Sequence, residues 1–271
     1  MTIAACLKFV DTRPELDPAG TIHDSDDRFS GVSPADQAAL EWALRSADAW
    51  GEEVHVVAAG PAAADRVLRD ALAAGAVRAT RIDIDTAAPS DVIAAEIATI
   101  IEGSRIVWCG DCSIDRGSGS VPAFLAAHLG AAQALGLVHV ELTGAEEIEA
   151  LRRLDGGRRE RVRATAPAVL SVEGAVARLR RASLASALAA RSAAIEVVNS
   201  LPLTPTYRPT RPFRPRARVL PGPAGDSALD RIRALTDAGM TASHGEIVAL
   251  APPDAADRII EALRDWGYLT P

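Results

Sequence analysis

Strand-like and helix-like segments alternate five times within about the first 130 residues, and this constrains the chain more than any other feature. Residues 3–10 are almost continuously apolar, with Lys8 the exception near the carboxyl end, as expected of a parallel strand covered on both faces. Ser33, Pro34, Ala35 and Asp36 then open a helix. The serine suits the N-cap, the proline the first helical position, and Asp36 completes a near-capping box ahead of apolar residues at helical spacing. A strand over 54–58, a helix over 62–74, a short strand over 81–84, a helix capped by Ser90 and a strand over 106–109 follow. The succession predicts an α/β fold with a doubly wound, mostly parallel sheet and right-handed crossovers.

After Gly136 the pattern changes. Short strand-like segments surround the Gly156-Gly157 turn signal, 168–173 reads as another strand, and together they predict antiparallel strands that extend or flank the sheet. A helix over 183–194 and an extended stretch over 195–198 close this region. Seven prolines between Pro202 and Pro223, interleaved with arginine, exclude helix or central strand and predict an extended, exposed arm. Two amphipathic helices, over 228–238 and 253–266, flank a strand-like GEIVAL. The predicted organisation is an α/β domain over 1–200, a proline-rich arm over 201–225 and a small C-terminal α/β unit over 226–271.

No apolar run approaches the ~20 residues needed to cross a bilayer, and the formal charge of −7 excludes nucleic-acid binding by the net field. The first residues lack a signal-type segment, so a cytoplasmic location without membrane insertion is expected. Arginine is concentrated in the second half, where charge runs are ordinarily solvated faces and the sharper reading is docking to an acidic partner or anionic cofactor. Cys6, Cys109 and Cys112 do not amount to a disulfide framework. Cys109 and Cys112 form a CxxC that straddles a strand end and a loop rather than opening a helix, which disfavours a thiol oxidoreductase. The five histidines are scattered, no nucleophile elbow is present, and no metal site or catalytic residue is expected.

The chemistry concentrates in the loop from Gly110 to Val121. It follows a strand, precedes an Ala/Leu-rich helix, and carries Gly110, Gly117 and Gly119 for close backbone approach with Ser118 and Ser120 at a helix start. That combination suits phosphate, and strand ends are where α/β folds bind ligands. The bland alternative is an ordinary Gly/Ser-rich surface loop.

Taken together, the lysine near the end of the first strand, the SPADQAALEWAL helix opening, the AGPAAADRVLRDALAAGAVRA segment, the GDCSID loop and the DGG turn before APAVLSVEG resemble the β subunit of electron transfer flavoproteins. The resemblance covers about residues 1–200. It implies an adenine-nucleotide α-hydrolase-like fold and a heterodimer whose α subunit carries most of an FAD site, passing electrons from dehydrogenase donors to a downstream acceptor as a carrier subunit rather than an enzyme. It further implies AMP, or FAD in bifurcating members, in this subunit. Carried over by motif, the nucleotide positions are Cys6; Ser33, Pro34, Ala35 and Asp36; Ala59; and Gly110, Asp111, Cys112, Ser113, Ile114, Asp115, Arg116, Gly117, Ser118, Gly119, Ser120 and Val121.

Two departures bear on nucleotide identity. Ser120 and Pro122 stand where the family has Gln and Gly, and the acidic run after Ile114 shrinks to Asp115 with Arg116, which is expected to pair with phosphate. The resemblance also implies a leucine anchor for dehydrogenases at Leu184, beside Arg180 and Arg181, against the alternative of a buried first-turn leucine. The C-terminal extension departs from the family's short tail and resembles an actinobacterial, mycofactocin-associated branch. The competing function is a stand-alone adenine-nucleotide-binding protein of universal-stress type.

Overall fold

The computed structural model describes residues 2–13, 15–16, 22–23, 29–144, 147–200, 222, 225–235 and 249–269. It divides into two compact units, Met1–Thr206 and Tyr207–Pro271.

The first unit opens with β1 (Thr2–Leu7), whose residues 3–7 are all buried. The stretch up to the first helix, expected to be irregular, instead carries two small antiparallel pairs. β2 (Val10–Asp11) pairs with β5 (Ser30–Gly31), and β3 (Glu15–Leu16) with β4 (Ile22–His23). The classical alternation follows: α1 (Pro34–Trp50), β6 (Glu53–Ala59), α2 (Asp65–Ala74), β7 (Arg78–Asp83), α3 (Ser90–Ile100), β8 (Ile106–Gly110) and α4 (Ser120–Leu129). α1 starts as its sequence requires, with the Ser33 hydroxyl accepting from the Asp36 N–H at 3.0 Å and Pro34 at the first position. Ser90, expected to cap α3, is its first helical residue; Pro89 occupies the cap, without a side-chain bond.

β9 (Ala132–Leu142), β10 (Glu147–Arg153), β11 (Arg159–Thr165) and β12 (Ala168–Val172) complete the second half, with α5 (Leu184–Ser192) and β13 (Glu196–Asn199) after them. Nine strands form one sheet in the order β11-β10-β9-β12-β8-β1-β6-β7-β13. The seven from β9 to β13 run parallel, and β10 and β11 add an antiparallel hairpin at one edge, turned by Gly156 and Gly157 at φ 70° and 75°. The mostly parallel, doubly wound reading therefore holds, with one correction. Residues 168–173 do not extend or flank the sheet in antiparallel fashion; β12 lies between β8 and β9 and runs parallel to both. All five of its residues are buried, four of them apolar and the fifth, Ser171, accepting from the Gly136 N–H at 3.0 Å, and burial along its whole length marks a strand covered on both faces.

Alternation along each strand assigns the two faces. Ile3, Ala5, Ile106, Trp108 and Leu170 pack with α1 and α2, while Ala4, Cys6, Val107, Cys109 and Val169 pack with α3 and α4. α5 lies against α2, where Arg69 donates to the carbonyls of Ala190, Arg191 and Ala193 at 2.9–3.2 Å and so binds the carbonyls that end the helix. β6 and β7 climb away on one side of β1 while β8 returns on the other. The chain therefore reverses direction between β1 and β8, and α/β sheets bind ligands at such a switch.

In the second unit, α6 (Ala228–Leu235) and α7 (Pro252–Asp265) fall where the amphipathic pattern predicts helices. The proline-rich arm, apart from Gly222 and Gly225, and most of the GEIVAL segment lie outside the described residues. Among the described residues no helix is long and apolar enough to cross a membrane.

Candidate functional site

At the switch point the carboxyl ends of β1, β6 and β8 meet the loop that follows β8, and a cavity of about 90 Å³ lies among them. Its floor is Cys6, Ala59, Cys109 and Gly110; one wall is Ile93 and Ile97 of α3; the roof is Cys112, Ser113, Arg116, Ser118 and Gly119 of the loop, with Val121 and Pro122 of α4. The loop runs over the strand ends because its two terminal glycines are forced close to neighbouring atoms. A Cβ on Gly110 would sit 2.5 Å from Asp36 Oδ1, and one on Gly119 would sit 2.1 Å from the Asp111 carbonyl oxygen. Any side chain at either position would displace the loop.

Asp36 supplies a buried carboxyl to the cavity wall. It accepts from the Lys8 backbone N–H at 3.3 Å and also from Ser33 and Gly110. Burial pushes it up to about 6, and those hydrogen bonds offset only part of the desolvation. It stands at the start of α1 because the capping geometry turns its carboxyl back over the helix end. Next to it, the Lys8 ammonium donates to Ser113 Oγ at 2.8 Å and to the two carboxylate oxygens of Asp115 at 2.6 and 2.7 Å. Burial alone would raise Asp115, but the bonds from Lys8 and Ser113 outweigh it and hold it below the usual carboxylate range.

Cys6 and Cys109 are direct register partners on β1 and β8. The bond from Cys6 and desolvation push the Cys109 thiol up, so it stays protonated and unreactive. All three cysteines are free, with Cys112 exposed on the loop. Among the described residues, no three His, Cys, Asp or Glu side chains are gathered to hold a metal ion.

Of the residues expected at a nucleotide site, Cys6, Asp36, Ala59, Gly110, Cys112, Ser113, Arg116, Ser118, Gly119 and Val121 line this one cavity. Ser33, Pro34 and Ala35 build the helix start behind Asp36, Asp111, Ile114, Asp115 and Gly117 belong to the loop's outer turns, and Ser120 is the first residue of α4. Arg116, expected to be available for phosphate, donates to the carbonyls of Ala88, at 2.9 Å, and Thr86, tying the loop to the turn before α3. Lys8, Thr86, Ile93 and Ile97 are lining residues that sequence reasoning missed. The signal for Lys8 was present, a charged residue at the end of an apolar strand; the isoleucines at i and i+4 read simply as core.

The residues proposed to meet a partner separate in the fold. Leu184 is 77% exposed at the first turn of α5, which excludes the buried alternative. Arg181 is exposed, whereas Arg180 folds back onto α1, bonding Glu41 through its backbone N–H at 3.0 Å and its guanidinium at 3.1 Å, and Asp48 at 2.9 Å. Burial would raise Glu41, but Arg180 and Arg45 outweigh it and lower its value. The arginine-rich hairpin is likewise engaged with its own acids, Arg152 with Glu160, Arg153 with Glu173 and Arg163 with Glu147 and Glu149.

The electron transfer flavoprotein domain model matches residues 24–203. The protein FixA of Bradyrhizobium diazoefficiens is 30% identical over 230 residues, covering 76% of this chain and 79% of its own. The electron transfer flavoprotein subunit beta of Mycobacterium tuberculosis is 34% identical over 172 residues, 60% of this chain and 64% of its own. The subunit of the same name from Clostridium acetobutylicum is 35% identical over 152 residues, 53% and 58% respectively. With the parallel sheet and its switch-point cavity in place, these matches establish that the chain belongs to the electron transfer flavoprotein family, as a β-subunit-type protein.

Proposed function

We propose that this chain is the β subunit of a heterodimeric electron transfer flavoprotein, and that its switch-point cavity takes the phosphorylated adenine nucleotide of that subunit, AMP or, in a bifurcating complex, FAD. The observation that carries the reading is the convergence of three strand ends and the Gly110–Val121 loop on one cavity that combines apolar walls with an ammonium group. The residues fit such a ligand. Ile93, Ile97 and Val121 offer surface to a base, and Asp36 can accept from a ribose hydroxyl. Lys8 and the first N–H groups of α4, where no acidic residue intervenes, favour phosphate.

The redox step in the complex is supplied by FAD held mainly by the α subunit; this chain's part is to bind, orient and enclose. Leu184, exposed at the start of α5, is the proposed anchor for dehydrogenase donors, with Arg181 beside it in sequence. Arg180 supports that segment from behind through Glu41 rather than meeting a partner directly.

The test is purification of the chain alone and with a co-expressed α subunit. The pair should be yellow and heterodimeric, and mass spectrometry of the denatured complex should release AMP or FAD beyond the α-subunit equivalent. A chain that stays monomeric with α present and releases no nucleotide would overturn the proposal.

A further inference from the structure

Lys8 is the one lysine in the sequence, against 28 arginines. At every other basic position the chain uses the planar, forked guanidinium; at the cavity it keeps a compact ammonium on a flexible stem. The backbone N–H of Lys8 is fixed on Asp36, so the freedom left to this residue is in its side chain. That side chain spans from the end of β1 to the loop and holds Asp115 and Ser113, while Arg116 ties the same loop to the carbonyls of Thr86 and Ala88. The two cations strap the loop across a cavity of about 90 Å³, well below the roughly 300–1,000 Å³ of pockets that enclose whole ligands.

Resting on the nucleotide reading of this cavity, we propose that Lys8 is an exchangeable latch: a phosphate group entering the cavity competes with Asp115 for the Lys8 ammonium, so that Lys8 leaves the loop carboxylate and becomes the phosphate-reading cation. Asp115 is then a counter-ion that opposes binding, not a ligand. The exchange is feasible because the pair is partly exposed, with 27% of the Lys8 and 38% of the Asp115 side chain accessible, and exposed pairs are weakly held. A phosphate carries nearly twice the charge of the carboxylate it displaces and offers three acceptor oxygens to three rotatable N–H donors. An arginine at position 8 would grip Asp115 through two parallel bonds and release it less readily.

The test uses the full chain, cleared of co-purified nucleotide, titrated calorimetrically with AMP and with adenosine. Asp115→Asn frees Lys8 and is expected to tighten AMP several-fold with adenosine unchanged; Asp115→Ser, which removes the carboxylate altogether, should act in the same direction. Lys8→Met is expected to weaken AMP about ten-fold or more, the scale of one hydrogen bond to a charged group, again sparing adenosine. Circular dichroism confirms that each variant folds, and Asp115→Ser carries the test if Asp115→Asn does not. Unchanged or weaker AMP binding on releasing Lys8, or equal AMP binding by Lys8→Met, overturns the latch while leaving the cavity a nucleotide site. Binding of neither AMP nor adenosine by the parent chain overturns the nucleotide reading itself.

Discussion

Asp36 couples the cavity to stability in a way that can be measured directly. Its carboxyl is pushed from 3.8 up to about 6 by burial, so the folded chain holds a proton that the unfolded chain releases over that interval. The stability from protonated Asp36 is therefore complete below pH 3.8 and lost as pH rises through 6. A shift of about two units at 1.36 kcal/mol per unit amounts to about 3 kcal/mol in full, of which about 1.4 kcal/mol falls between pH 5 and 7.5. Asp36→Asn removes the titration. Whatever fixed cost the amide incurs against the donors of Lys8 and Gly110 is the same at every pH, so the informative quantity is the difference between two pH profiles. Urea unfolding followed by tryptophan emission suits the measurement, since Trp42 and Trp108 stack at 5.9 Å in the core of the first unit. From pH 5 to 7.5 the parent chain should lose about 1.4 kcal/mol relative to Asp36→Asn. Parallel profiles would show that burial does not raise this carboxyl, and the account of the cavity wall would fail with it.

Four further outcomes are expected. His55 is buried against Thr80, and desolvation lowers it to about 4, so the parent chain should lose about 1–2 kcal/mol on acidification from pH 7 to 5 that His55→Gln does not lose, the opposite sign to Asp36. Gly119→Ala brings a Cβ to within 2.1 Å of the Asp111 carbonyl and should displace the loop, weakening AMP binding in calorimetry about ten-fold for each 1.4 kcal/mol of strain not relieved, with little change in Tm. Arg180→Ala strips the buried Glu41 of its main partner while Arg45 remains, and should cost about 2 kcal/mol in urea unfolding. Leu184→Ala, at an exposed position, should change stability by less than about 0.5 kcal/mol while slowing reduction of the assembled flavoprotein by its dehydrogenase in stopped-flow.

The α/β alternation of the first half was legible because local rules fix it, whereas the two-residue strands β2 to β5, too short to show a period, were not. Ser33 and Pro34 start α1 through the backbone groups of its first turn, and the apolar run of β1 can only be a doubly covered strand. The second half was less legible. β12 reads like the short strands before it, and nothing in five buried residues says that it inserts between β8 and β9 rather than continuing the hairpin, because strand order depends on which edges are free when the chain returns. The same holds for the site. Gly110, Ser118 and Gly119 could be picked from composition, but Lys8 at the end of β1 and Thr86 and Ile93 around the start of α3 come from two segments distant in sequence and meet only at the switch point.

Periodicity, capping and turn chemistry between near neighbours were enough to place the strands and helices of the α/β alternation, the mostly parallel class of the sheet and a polar loop at a strand end, but not the small strands β2 to β5 or the parallel insertion of β12. Only the tertiary structure decided that Arg116 and Arg180 are held by their own chain, that Leu184 is exposed, and that Lys8 reaches Asp115, 107 residues away. A side chain's partners are set by the three-dimensional register of the sheet and its loops, and no local rule carries that information.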